Sequence, residues 1–297
     1  MTIEAKRERV IAGTGFIAAL DQSGGSTPRA LSDYGIAEDA YSDGAGMFRL
    51  IRDMRARIMT APTFTSGRII AAILFERTAY DEIDGMPVPS FLWEKHGIVP
   101  FLKIDKGLEV ERNGVRLMKP IVGLDASLER AADASIFGTK ARSVIRNASP
   151  IGIATIVAQQ LDIAEQVARH GLLPIIAPEV LIDSSSKAEA EDILLAELTR
   201  QIDALPGDWQ LMLKLTLPEL SDTYASLVAH PRVTRVVALS GGYSRDEACQ
   251  RLARNHGLIA SFSRALSDGL RYSMNDIEFN ETLTNNVNQI FEASIAP

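Results

Sequence analysis

"DWQLMLKLTLPEL", residues 208–220, sets a lysine inside an apolar run that otherwise reads as a buried strand. An ammonium taken out of water without a partner is costly, so Lys214 must reach solvent, pair with a carboxylate or give up its proton. A lone lysine near a strand end ordinarily snorkels to water. The third option is chemistry, and the rest of the chain decides whether it holds.

Runs of the same character recur on both sides of this one. They are "FIAALD" (16–21), "RIIAAILF" (68–75), "VPFLKID" (99–105), "SIFGTK" (135–140), "LLPIIAPEV" (172–180), "WQLMLKLT" (209–216), "VTRVVALS" (233–240) and "LIASFS" (258–263). Near-continuous apolarity, rather than alternation, is what a parallel strand covered on both faces requires. The segments between look helical. Ile153, Ile156, Val157, Leu161, Ala164 and Val167 repeat at helical spacing, and Leu220, Tyr224, Leu227 and Val228 do the same between the sixth and seventh runs. Eight βα units predict an α/β chain folded as a (β/α)8 TIM barrel, one domain over residues 1–297. An open doubly wound sheet is the alternative, but no Gly-x-Gly-x-x-Gly turn follows the first run. No linker, low-complexity tract or repeat divides the chain.

Composition limits the partners. With 46% hydrophobic and 23% charged residues, the 297-residue chain can bury a substantial core. A formal net charge of −7 argues against nucleic-acid or anionic-membrane surfaces, which call for a basic face. The single cysteine, Cys249, leaves no intrachain disulfide and fits a reducing compartment. The charged start "MTIEAKRERVIAGTG" lacks the apolar segment of a signal peptide, and no run approaches about 18 apolar residues, so a cytoplasmic protein is expected.

In a barrel, side chains at the C-terminal ends of the strands converge on one mouth, where active sites are built. Those ends carry Asp21, Lys103 with Asp105, Lys140, Glu179, Lys214, Ser240 and Ser261. Solvated charges without a function would scatter over both ends and the helices, so this gathering marks a site. "LSGGYSRDEA" closes the seventh run with Ser240, Gly241 and Gly242, then opens a helix whose Ser244 and Glu247 have capping-box spacing. Glycines let backbone N–H groups approach an anion closely. "SFSRAL" adds Ser263 and Arg264 after the eighth run, and loops seven and eight are the usual phosphate site of this barrel.

His96, His170, His230 and His256 fall in or near helices, away from the mouth, so no catalytic metal is expected, and no cofactor fingerprint is present. The reaction must therefore suit amines, carboxylates and hydroxyls. Carbon–carbon cleavage through an imine does: a neutral lysine attacks a ketone, and the protonated Schiff base withdraws electrons from the neighbouring carbon. Neutrality near pH 7 requires a shift from about 10.4 towards 7 to 8, roughly 3 to 4 kcal/mol of bias from desolvation and nearby cations. Lys214 has an apolar strand for the first and Lys140 for the second.

Taken together, "GFIAALDQSGGSTPRAL", "FLKIDKG", "IFGTKARS", "LPIIAPEV", "LMLKLT", "LSGGYSRDEA" and "ASFSRAL" resemble class I fructose-1,6-bisphosphate aldolase in its short bacterial form, over essentially the whole chain. The resemblance implies that Lys214 forms the imine with the ketone of the sugar bisphosphate or of dihydroxyacetone phosphate. It implies that Asp21 handles the C4 hydroxyl proton, that Lys140 stabilises the carbinolamine, and that Glu179 is a nearby second carboxylate. Ser240, Gly241 and Arg264, with Ser263 and the adjoining Gly242 and Ser261, resemble the site for the phosphate on the dihydroxyacetone half. Ser26, Lys103 and Arg142 resemble the site for the other phosphate. One departure stands out: where the family reads "EPE", this chain reads "APE", with Ala177 two residues before Glu179. The implied consequence is reduced turnover. The chain also stops at "FEASIAP", without the long extension and terminal tyrosine of animal members. Another Schiff-base sugar-phosphate enzyme, such as a transaldolase or a deoxyribose-phosphate aldolase, and a non-catalytic sugar-phosphate-binding relative remain alternatives. A homo-oligomer is compatible with the sequence but not specified by it.

Overall fold

Each apolar run contributes a strand: β1 (Phe16–Leu20), β2 (Ile69–Leu74), β3 (Val99–Lys103), β4 (Gly138–Ile145), β5 (Leu173–Val180), β6 (Leu211–Thr216), β7 (Val233–Leu239) and β8 (Ile259–Ala260). The structure, a computed structural model, describes residues 2–297. The strands pair in chain order, every pair parallel. The ring comes round to its start where the Ala19 N–H donates to the Phe262 carbonyl just past β8, at 3.2 Å. Helices alternate with the strands on the outside, giving the expected (β/α)8 barrel.

The alternation along each strand explains both the core and the site. Ile17, Ile73, Phe101, Ile175, Met212, Val237 and Ile259 form one interior cluster, joined from the N-terminal side by Val10 of α1 (Ile3–Ala12) and by Trp93. Two residues further along the same inward faces stand Ala19, Lys103, Ala177, Lys214, Leu239 and Ser261, which line the mouth. The barrel is thus filled by hydrocarbon at its base and by polar groups at its top. Outward-facing residues such as Leu213, Leu215 and Ile176 belong to the second, larger cluster between strands and helices. Full burial of each such side chain is worth about 1.5 to 3 kcal/mol.

Three helices matter below: α2 (Gly44–Met59), α3 (Pro150–Arg169) and α4 (Arg245–Leu252). The periodicity read for α3 holds, since Ile153, Ile156, Val157, Leu161, Ala164 and Val167 are all buried. Ser149 begins it, accepting from the Gly152 N–H at 3.2 Å, with Pro150 in the first position where its missing N–H has no cost.

Three expectations need correction. The fourth strand covers 138–145 rather than 135–140: Ser135 adopts a left-handed φ of 61° after a helix, and the strand then continues through two charged residues. Lys140 is therefore the third residue of an eight-residue strand and not its end. Lys140 and Arg142 face inward while Ser143 faces α3, its hydroxyl 2.8 Å from the Gln160 side chain. Between β6 and β7 only Ala225–Val228 is helical; Asp222 takes a left-handed φ of 62°, and Leu220, expected on a buried helical stripe, is 66% exposed. The eighth run supplies a strand of only two residues, and Ser261 to Ser263 form a loop. No described helix is long and apolar enough to cross a membrane.

Candidate active site

The mouth encloses a cavity of about 660 Å³. Asp21, Ser26, Lys103, Lys140, Arg142, Ala177, Glu179, Lys214, Ser240, Gly241, Ser261, Ser263 and Arg264 all line it. Of the residues singled out in the sequence, Gly242 alone stands behind the lining; a Cβ there would lie 3.5 Å from the Arg264 guanidinium.

Lys214 takes neither of the first two options. It is 5% exposed, and among the described residues its Nζ meets no carboxylate but donates to the Ser261 hydroxyl at 2.8 Å. Burial pushes it down to about 7; Asp21 and Glu179 resist that shift, while Lys140 and Arg142 reinforce it. The other cations of the cluster have partners. Lys140 donates to Asp21 at 2.9 Å. Lys103 holds the Asp105 carboxylate at 2.6 Å and its carbonyl at 2.9 Å. Arg142 pairs with Glu179 through Nε, and its backbone N–H donates to the second Asp105 oxygen at 3.2 Å. Burial alone would raise the Asp21 carboxyl, but Lys140, Lys214 and Lys103 outweigh it and hold Asp21 well below the usual carboxylate range. Lys103 is itself lowered, by burial and by Lys140, against the pull of Asp105. The result is an ionised carboxylate and a lowered amine in one cavity, the clustering of perturbed groups that marks a functional site.

Strand register places Ala177. It pairs with Arg142 across β4 and β5, and one step beyond the Ile176–Leu213 pair it lies beside Lys214 on β6. A methyl group therefore occupies the strand position between Arg142 and Lys214, 1% exposed. Glu179 lies two residues further on and is engaged by Arg142.

Two groups of hydroxyl and cationic side chains line the mouth, one after β7 and β8 and one with its cations on β3 and β4. After β7, Gly241 has a left-handed φ of 61°, and a Cβ there would stand 2.5 Å from Ile182 Cγ2, so only glycine fits. Ser263 Oγ nearby is buried without a partner, and Arg264 follows it. Ser244 caps α4 by accepting from the Glu247 N–H at 3.2 Å, but the Glu247 carboxylate turns to Arg251 at 3.1 Å, so only half of the expected capping box forms. The second group comprises Lys103 and Arg142 on β3 and β4, with Ser26 in the loop after β1, where Ser26 Oγ bonds the Ser23 N–H and carbonyl, each at 3.0 Å.

Sequence reasoning missed Gln22, Ser23, Arg29 and Arg116, which also line the cavity. The first three lie in the same "DQSGGSTPR" stretch as Asp21 and Ser26, so adjacency was an available signal. Arg116 comes from an excursion between β3 and β4, on a two-residue strand antiparallel to the end of β4, and no local pattern points to it. The histidines stand elsewhere: His170 meets Asp125, His230 meets Asp203, and His256 meets Asp222 at 2.9, 3.0 and 2.8 Å. Among the described residues no three His, Cys, Asp or Glu are grouped to hold a metal ion.

Fold and mouth together define a class: a (β/α)8 barrel with a lysine-centred site suited to imine chemistry. A family model described as "Fructose-bisphosphate aldolase class-I" matches residues 3–205. Over nearly its whole length the chain is similar to proteins named "Fructose-bisphosphate aldolase class 1". The one from Synechocystis sp. is 53% identical over 299 residues, covering 99% of each chain. That from Clostridium acetobutylicum is 51% identical over 292 residues, covering 98% of this chain and 99% of the relative. That from Porphyromonas gingivalis is 52% identical over 281 residues, covering 95% of each. The chain belongs to the class I fructose-bisphosphate aldolase family. Among solved structures, the aldolase of Plasmodium falciparum, in a ternary complex with TRAP and a small-molecule inhibitor, superposes with a TM-score of 0.82 at 19% identity, covering 99% of this chain and 94% of that one. At that identity the likeness speaks for the fold alone.

Proposed function

We propose that the protein reversibly cleaves fructose 1,6-bisphosphate to dihydroxyacetone phosphate and glyceraldehyde 3-phosphate, through an imine on Lys214. The observation that carries this reading is Lys214 itself: buried, bound to a hydroxyl instead of a carboxylate, and lowered to about 7. Its free amine attacks the C2 ketone, and Lys140 stabilises the charge on the resulting carbinolamine, which loses water to give a protonated imine. Asp21 then takes the C4 hydroxyl proton; the C3–C4 bond breaks, its electron pair passes into the enamine, and the aldehyde leaves. Protonation of the enamine at C3 and hydrolysis of the imine release the second product and restore the amine.

Ser240, Gly241, Ser263 and Arg264 hold the phosphate of the dihydroxyacetone half, with Gly242 and Ser261 shaping that end of the cavity. Ser26, Lys103 and Arg142 hold the other phosphate. A bisphosphate is favoured over a monophosphate because Lys103 and Arg142, on β3 and β4, lie about half the ring from the group after β7 and β8, with Ser26 after β1. Ala177 leaves no carboxyl between Arg142 and Lys214, so binding outlasts turnover and the chain is a slow enzyme. The whole chain acts as one domain, in the cytoplasm.

A triose-phosphate-coupled assay tests the reading: fructose 1,6-bisphosphate should yield both products in equal amounts, and Lys214→Met should abolish this. Cleavage that persists in Lys214→Met, or faster cleavage of deoxyribose 5-phosphate, would overturn it.

A further inference from the structure

Arg55 lies on α2 and is 1% exposed, among the largest fully buried side chains of the protein, yet no carboxylate among the described residues pairs with it. Its helix neighbours Arg52 and Arg57 reach Asp81 and Asp276 at or near the surface. A helix face turned to a core calls for an apolar residue, and a buried guanidinium without a counter-ion is costly unless its donors are placed. Two of the Arg55 nitrogens are placed on the turns above the barrel, while Nε has no partner among the described residues. Nη1 donates to the Thr78 hydroxyl at 2.8 Å, just after β2, and Nη2 donates to the Gln22 carbonyl. The guanidinium lies 5.8 Å from the Phe75 ring centre.

The Gln22 carbonyl is the significant partner, because it belongs to the Gln22–Ser23 peptide, one residue past Asp21. Fixing that peptide plane fixes the Ser23 N–H, which shares it and donates to Ser26 Oγ, and so restricts the turn through Gln22 that connects Asp21 to the Ser23–Ser26 loop. A charge-assisted bond to a carbonyl is stronger than a neutral one. The guanidinium and the Asp21 carboxylate also attract each other without touching.

We propose that Arg55 is a positioning residue: from beneath the mouth it holds the turn after β1, and so aims Asp21 and the Ser23–Ser26 loop at the substrate. This rests on the function proposed above. It separates two parts of that function. Forming the imine with dihydroxyacetone phosphate uses Lys214 and the β7–β8 phosphate group and asks little of this turn. Cleaving the bisphosphate uses Asp21 and Ser26 as well.

The experiment compares Arg55→Ala and Arg55→Lys with the parent chain. Borohydride trapping of dihydroxyacetone phosphate on Lys214 and the kcat and KM for bisphosphate cleavage are each normalised to the folded fraction from circular dichroism. Trapping should stay within about twofold of the parent. Cleavage kcat/KM should fall about tenfold to a hundredfold in Arg55→Ala, the scale of a misplaced reacting group, and less in Arg55→Lys. Added guanidinium ion should restore part of the loss in Arg55→Ala alone. If Arg55→Ala does not fold, the same split is read in Arg55→Lys. Proportional loss of trapping and cleavage, or unchanged cleavage, overturns the inference. A parent chain that traps no imine removes the proposed function instead, so the two failures are told apart.

Discussion

Replacing Ala177 by Glu should raise turnover and move its pH dependence in a calculable direction. Dehydration of the carbinolamine expels hydroxide unless an acid protonates the departing oxygen. One positioned acid is typically worth 10² to 10⁴-fold, about 3 to 5.5 kcal/mol of barrier. Register puts residue 177 beside both Arg142 and Lys214, on a side chain facing the cavity, so a carboxyl there has room and faces the reacting nitrogen. Glu179 cannot serve in its place. It is held by Arg142, and residues two apart on a strand stand about 6 to 7 Å from one another. The new carboxylate has a cost. At a separation on the order of 7 Å and an effective dielectric of about 20, it attracts the Lys214 ammonium by about 2 kcal/mol, enough to raise that amine by one pK unit or more. A lysine sitting at about 7 would then be about one-tenth neutral at pH 7 instead of about one-half. The proton the new carboxyl donates is the one the attacking amine sheds on adding to the ketone, taken by the carboxylate and passed to the departing oxygen, so the net gain in kcat should be about 20 to 2,000-fold at pH 7 and should approach the full general-acid range by about pH 9 as the amine becomes neutral. KM for fructose 1,6-bisphosphate should change little, because the phosphate groups do not use residue 177. Steady-state cleavage at both pH values checks this. A rise below about threefold at pH 9 would show that residue 177 is not where an acid is missing.

Two further outcomes follow from the same cavity. In the parent chain the rate of imine formation with dihydroxyacetone phosphate should fall as pH drops through about 7, because burial lowers Lys214 and only its unprotonated form attacks. A stopped-flow trapping profile with its midpoint near 9 or above would contradict that environment. Arg264→Ala should weaken binding of dihydroxyacetone phosphate by about 2 to 4 kcal/mol through loss of a two-pronged contact with phosphate, measured by calorimetry; unchanged affinity would remove Arg264 from the site.

The fold was largely legible because a barrel strand advertises itself by apolarity on both faces, and β5, β6 and β7 lie within two residues of their expected bounds. β4 was displaced for a physical reason: inside a barrel mouth, Lys140 and Arg142 are strand residues that read as the end of one. Leu220 misled because helical spacing over four residues is a weak signal against Pro218 and a left-handed Asp222. The mouth was legible wherever polar residues terminate strands, which found Asp21, Lys103, Glu179, Lys214, Ser240 and Ser261. It was not legible at Arg55. In "RLIRDMRARIM" one arginine among four looks like a solvated helix face, and only the tertiary packing shows it buried under Gln22.

The central claim is that Lys214 is the nucleophile, and the measurement that tests it most directly is reductive trapping. The protein is incubated with dihydroxyacetone phosphate, reduced with borohydride, digested, and mapped by mass spectrometry. The account predicts one adduct, on the peptide carrying "LMLKLT", at Lys214, absent from Lys214→Met. An adduct on Lys103 or Lys140 with Lys214 unmodified would contradict it.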